Sequence, residues 1–265
     1  MIAFSARYGA LALALILAGP GGIEARSHLK DSGQIVSPAS EPAAVPFGPG
    51  EKSTFDVKFG GIHVGSGSLE VIGVENVRGR DAWHTAFNIQ GGTFFYRVND
   101  VYESWIDTET LNSLLFTRQI EEGTRERGQN FEIMPERGTY IERTRQKSTM
   151  KKTVDNPLDE GAFLFFVRTI PLVVGQTYDF HRYFIPDRNP VRLRVLRKER
   201  ITVPAGTYDA IVIQPIIKTK GIFSEKGQAE VWLADDASRM LLQVKSKLSF
   251  GSLNLYLKSY TPPKK

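Results

Sequence analysis

Cysteine is absent from all 265 residues, so disulfide scaffolds, thiolate nucleophiles, Cys-ligated metals and an acylated N-terminal Cys are excluded at once. Histidine occurs four times and tryptophan three. His63, His84 and His181 show no His-x-x-x-His or His-Glu-x-x-His spacing, so no metal or cofactor is expected. No Gly-x-Ser-x-Gly elbow exists, and Gly65-Ser66-Gly67-Ser68 shares only composition with one. A strong charge of one sign is also missing. The net charge is +5 with both signs interspersed, and the aromatics do not alternate with basic residues, so nucleic acid is not an expected partner. Long apolar runs are missing too, apart from Ala10–Ala18, and no internal repeat is visible.

That run is too short to cross about 30 Å of hydrocarbon comfortably, but it suits the apolar region of a secretory signal. Arg7 precedes it, Gly19-Pro20-Gly21-Gly22 breaks it, and cleavage is expected after Ala18, Gly19 or Ala25. Residues 1–25 are therefore read as a signal helix, with an uncleaved anchor as the alternative, and no stable transmembrane segment is expected after processing. Residues 26–46, rich in Ser, Pro, Gly and Ala without periodicity, read as a flexible linker. The expected location is periplasmic or otherwise exported, in soluble form.

What is present is β-structure. Residues 47–260 read as one β-rich domain, and 261–265 as a tail. Phe55, Val57 and Phe59 alternate with polar residues, and Gly60-Gly61 turns the chain into Ile62-His63-Val64. Trp83 to Ile89, Val98 to Ile106 and Ser113 to Glu121 continue the strands, with two or three more polar ones around Phe131, Tyr140 and Met150. After a break come Gln176–Ile185 and then Val191, Leu193 and Val195, which alternate with Arg192, Arg194 and, out of step, Arg197. A hairpin is expected at Pro204-Ala205-Gly206 and a turn at Asp235-Asp236, with closing strands at 241–248 and 253–260. Short connections favour an antiparallel meander forming a curved sheet or partly open barrel.

One segment breaks the pattern. Asn156 suits a helix N-cap, Pro157 the first helical position, Arg168 the last turn and Pro171 the stop. Leu158, Ala162, Phe165 and Phe166 share a face, while Phe163, Leu164 and Val167 fill the others, so a central α-helix over 157–170 has to be enclosed by protein.

Pro46-Phe47-Gly48-Pro49-Gly50-Glu51 with Phe55-Asp56-Val57, Asn156-Pro157-Leu158 with Phe163–Arg168, and Val203–Tyr208 with Trp232-Leu233-Ala234-Asp235-Asp236 together resemble domain-of-unknown-function family 3108, exported bacterial proteins. The likeness spans roughly 46–260, and Asp159-Glu160-Gly161 departs from the small-residue-rich helix start expected of that family. The resemblance implies a sheet similar to the half-barrels of the periplasmic lipoprotein carriers (LolA/LolB-like).

Function is read from this frame as non-enzymatic binding of an apolar or amphipathic envelope component, such as a lipid, or of an envelope protein partner. Phe94, Tyr96, Tyr102, Trp105, Phe163, Phe165 and Phe166 are the candidate ligand-lining residues, although such rings also pack simply on one another. Arg192 and Arg194, on one strand face, are candidate anion contacts, although outward charges also protect sheet edges. Alternatives are a hydrolase of envelope polymers using His181 with Asp179 or Asp235 with Asp236, and a structural or adaptor domain.

Overall fold

A computed structural model describes residues 45–93, 96–144, 147–218, 229–248 and 251–264. The expected signal helix 1–25, nearly all of the linker 26–46 and Phe94 lie outside these residues.

Fourteen strands form one antiparallel sheet. They are β1 (Lys52–Phe59), β2 (Ile62–Val77), β3 (Arg80–Thr93), β4 (Tyr96–Asp107), β5 (Ser113–Glu122), β6 (Arg125–Met134), β7 (Thr139–Arg143), β8 (Ser148–Lys152), β9 (Thr177–Phe180), β10 (Val191–Val203), β11 (Gly206–Ile216), β12 (Glu230–Ala234), β13 (Leu241–Leu248) and β14 (Gly251–Thr261). Every spatial neighbour except one is a sequence neighbour. The exception is β1 with β14, which joins the two ends of the meander in the middle of the sheet. The free edges are β8 and β9. The chain between those edges carries the single α-helix among the described residues, α1 (Glu160–Phe166).

Strand alternation explains the burial. Phe55 and Val57 are buried while Thr54, Asp56 and Lys58 are not, and Val191, Leu193 and Val195 are buried while Arg192 and Arg194 are exposed. Register shifts supply curvature. One lies between Val195 and Arg197, so Leu196 is the extra residue, which is why Arg197 falls out of step in the sequence. Gly60 and Gly61, with φ of 55° and 90°, make the left-handed pair that a tight hairpin needs.

The helix is enclosed as expected, but it is shorter than the 157–170 read from the sequence. Asn156 takes φ of 50° and does not cap it. Pro157 and Leu158 are used as extended backbone instead: Ser113 N–H donates to Pro157 O, and Leu158 exchanges bonds with Arg182 O and Phe184 N. Asp159 is the true N-cap, accepting from Ala162 N–H at 2.9 Å. Arg168 lies past the helix rather than in its last turn. It is buried, donating to Glu51 Oε1 at 2.7 Å and to the carbonyls of Pro46 and Ser238. This one side chain ties the segment after the helix to β1's approach and to the β12–β13 turn.

Candidate functional site

The first turn of α1 sets an acidic pair into the inner face of β4 and β5. Gly161 permits this, because a Cβ there would stand 2.3 Å from Ser104 Oγ. Ser104 donates to Asp159 Oδ1 at 2.6 Å, and Asp159 N–H donates to Ser113 Oγ at 2.8 Å. Asp159 Oδ2 has no hydrogen-bond partner among the described residues. Burial drives the Asp159 carboxyl up to about 6, against the pull of Ser104 and the Ala162 amide. Glu160 Oε1 accepts from the Tyr183 hydroxyl and lies 3.6 Å from Arg118 Nη1, while Arg188 Nη1 donates to that hydroxyl at 3.0 Å. Burial, and then the Glu160 charge, push the Tyr183 hydroxyl well above its ordinary value. Arg118 is 3% exposed and Tyr183 2%, so this network is closed from solvent and holds the helix down rather than meeting a substrate.

The candidate aromatics separate. Phe163, Phe165 and Phe166 are buried; Phe163 and Phe166 pack on Phe180 of β9, with ring centroids 6.2 and 5.2 Å away, and Phe165 packs on Phe47 at 5.0 Å. Tyr102 is buried beside Phe87. Trp105 does not join them. Tyr102, Ser104 and Ile106 share the inner face of β4, so Trp105 falls on the outer one, stacked on His84 at 4.2 Å. There His84 Nδ1 meets Glu75 and Nε2 meets Glu103, on opposite sides of the ring, so the two carboxylates cannot converge with it on one cation. No metal-binding cluster is found among the described residues. Phe94 lies outside the described residues, and Tyr96 is the first residue of β4. Val57, Val64, Ile89, Val98 and Leu253, with Gly65 and Gly91, line a mostly apolar cavity of about 20 Å³, little more than one water's room.

A roomier concavity lies outside. Pro190, Arg192, Arg194, Ile216 and Lys218 line a groove of about 470 Å³ on the outer face of β10 and β11, beside edge strand β9. It contains both arginines singled out in the sequence. Asp179 of β9 grips Arg192 in a fork, accepting from Nε and Nη2 at 2.8 Å each, which holds its carboxyl below the usual range. Arg194 and Lys218 meet no carboxylate among the described residues, and both are exposed. Two cations without a carboxylate partner among the described residues therefore stand beside Pro190 and Ile216.

The other acidic candidates are occupied. Asp235 pairs with Lys198 and Arg239, and Asp236 accepts from Ser238 N–H and Oγ in the turn. His181 is exposed and Asp179 belongs to Arg192, so neither pair forms a catalytic cleft. Sequence reasoning missed Arg118, Arg188 and Tyr183, whose inward placement carries no local signal, and Lys218. A hint of Lys218 was available: strand alternation from Gln214 through Ile216 puts it on the same face.

Residues 54–258 match the family model described as "Protein of unknown function (DUF3108)". No functionally curated protein matches the sequence. Among solved structures, a β-barrel-like protein of domain-of-unknown-function family DUF1849 from Brucella abortus is similar with a TM-score of 0.52 and 9% identity, covering 83% of this chain and all of that one. A candidate lipoprotein from Parabacteroides distasonis (TM-score 0.39, 11% identity, 84% and 100% covered) and a candidate exported protein with a YmcC-like fold from Bacteroides fragilis (0.31, 9%, 82% and 98%) are more distant in shape. The Brucella likeness supports the curved β-rich fold alone.

Proposed function

The chain belongs to the DUF3108 family, and on that premise we propose that it is an exported, non-enzymatic periplasmic protein that binds an anionic amphipathic component of the cell envelope. The observation that carries this reading is the outer groove: Arg194 and Lys218, without carboxylate partners among the described residues, flank Pro190 and Ile216. A charged head meets the cations while an apolar portion lies on the floor, an arrangement suited to an amphiphile rather than to a purely polar solute. The apolar run Ala10–Ala18 supports export. No helix among the described residues is long and apolar enough to cross a membrane. Inside, the rings of α1 pack on their neighbours, Phe165 on Phe47 at 5.0 Å and Phe166 on Phe180 at 5.2 Å, as a packed core does.

Native mass spectrometry of the mature chain isolated from its own host tests the proposal. The expected result is a co-purifying amphiphile that disappears in the double variant Arg194→Glu/Lys218→Glu. An adduct retained by that variant, or none in the parent protein, overturns it.

A further inference from the structure

The charges of the groove narrow the ligand further. Among the described residues, Arg192, Arg194 and Lys218 bring three positive charges to one concavity, and Asp179 sets one negative charge against Arg192 through its fork. A single carboxylate is matched by one guanidinium fork. That fork, Arg192, is already filled by a carboxylate of the protein itself, with both contacts at 2.8 Å. The cations left over sit on different elements: Arg194 on β10 and Lys218 just past the end of β11. Arg192 and Arg194 are two residues apart on one strand face, roughly 7 Å along the strand. A group that engages cations spread this way needs several oxygens pointing in different directions and more than one negative charge. A phosphomonoester has three terminal oxygens and a charge near −2, whereas a carboxylate has two coplanar oxygens and −1.

We infer that the groove is a phosphomonoester site, in which Arg194 and Lys218 hold the terminal oxygens of a phosphate while Asp179 keeps Arg192 at the rim. This rests on the binding reading above and names the head group of its ligand. Lysine suits the role as a point charge with three donors, and arginine as a planar fork, so together they cover a tetrahedral anion from two sides. Pro190 and Ile216 make the adjoining surface apolar, which favours a phosphate carried on a hydrocarbon body over the free ion.

The test uses the mature chain with four probes: inorganic phosphate, acetate, vesicles of phosphatidylcholine containing phosphatidic acid, and vesicles containing oleate. Amide chemical shifts at residues 190–194 and 214–218 report the site. Phosphate is expected to move them and acetate not, with phosphatidic acid vesicles binding more tightly than inorganic phosphate. Arg194→Ala is expected to weaken phosphate at least about tenfold, in keeping with the loss of a charge-assisted hydrogen bond. Asp179→Asn, which removes a negative charge from beside the groove, is expected to tighten it a few-fold. Acetate equal to phosphate, an unchanged Arg194→Ala, or an Asp179→Asn variant that binds no better each overturns the phosphomonoester assignment. Should oleate vesicles bind through these residues while phosphate and phosphatidic acid do not, the head-group inference fails and the amphiphile reading stands. If neither phosphate nor any of the vesicles bind, both fall. Phosphate binding equal to that of phosphatidic acid vesicles overturns the lipid source and leaves a soluble phosphate ligand.

Discussion

Replacing Asp159 by Asn probes the hold on the helix with one atom changed. The carboxyl is fully buried, and burial lifts it from 3.8 to about 6 in the folded chain. A proton is therefore bound more tightly by the folded state than by the unfolded one. The sign follows: the contribution to stability is fully present below about pH 4, is lost as pH rises through about 6, and is constant above that. At about 1.4 kcal/mol per pH unit of difference, the loss is on the order of 3 kcal/mol. Asn keeps the oxygen that accepts from Ala162 N–H and Ser104 Oγ–H, so the cap survives, but it cannot ionise. Its amide nitrogen, in place of the unpartnered Oδ2, adds a cost that does not change with pH. Urea unfolding of both proteins from about pH 4 to pH 7 isolates the effect, because other titrating groups cancel in the difference. Relative to the parent chain, the variant should gain about 3 kcal/mol across that interval. A difference that stays flat with pH, or one that moves against the variant, refutes the account of the buried acid.

Other substitutions test the remaining anchors. Arg168→Ala should cost about 3–5 kcal/mol in chemical unfolding, because it leaves Glu51 buried without its partner, while Arg168→Met combined with Glu51→Leu should recover most of that loss. Gly161→Ala should lower the thermal midpoint, by about 1–3 kcal/mol of stability, although helix propensity alone favours Ala by about 1 kcal/mol; a stabilised variant would contradict the close approach of α1 to Ser104. Phe184→Ala should cost about 3–5 kcal/mol, since this ring, 1% exposed, packs the segment after β9 against Phe131 and Tyr140, and a loss under about 1 kcal/mol would deny it that role.

Much of the fold was legible because strand alternation and turn chemistry are local. Phe55 and Val57, the Gly60-Gly61 turn and the Pro204–Gly206 hairpin announce themselves within a few residues, and a meander needs little beyond neighbours. The helix boundary was not legible, because Asn156 and Pro157 have good helix-start chemistry, yet Ser113 and Arg182 claim that backbone from distant strands. Tertiary hydrogen bonds outweighed propensity there. Asp159 and Glu160 looked like ordinary first-turn acids; only the contacts to Ser104 and Tyr183, 55 and 23 residues away, reveal a buried network. Arg192 and Arg194 were visible as a pair by period, whereas Lys218 joins them only through the β10–β11 pairing, and the fork from Asp179 only through β9. Trp105 shows the limit of grouping aromatics by nearness in sequence, since an odd spacing of three residues puts it through the sheet from Tyr102.

Hydrogen exchange with and without phosphatidic acid vesicles tests the central claim most directly, that the ligand is held on the outside while the helix stays clamped within. The expected result is added protection at 190–194 and 214–218, with residues 160–168 equally slow to exchange in both conditions. Faster exchange at 160–168 on binding, or protection confined to that segment, would place the ligand in the interior and contradict the account.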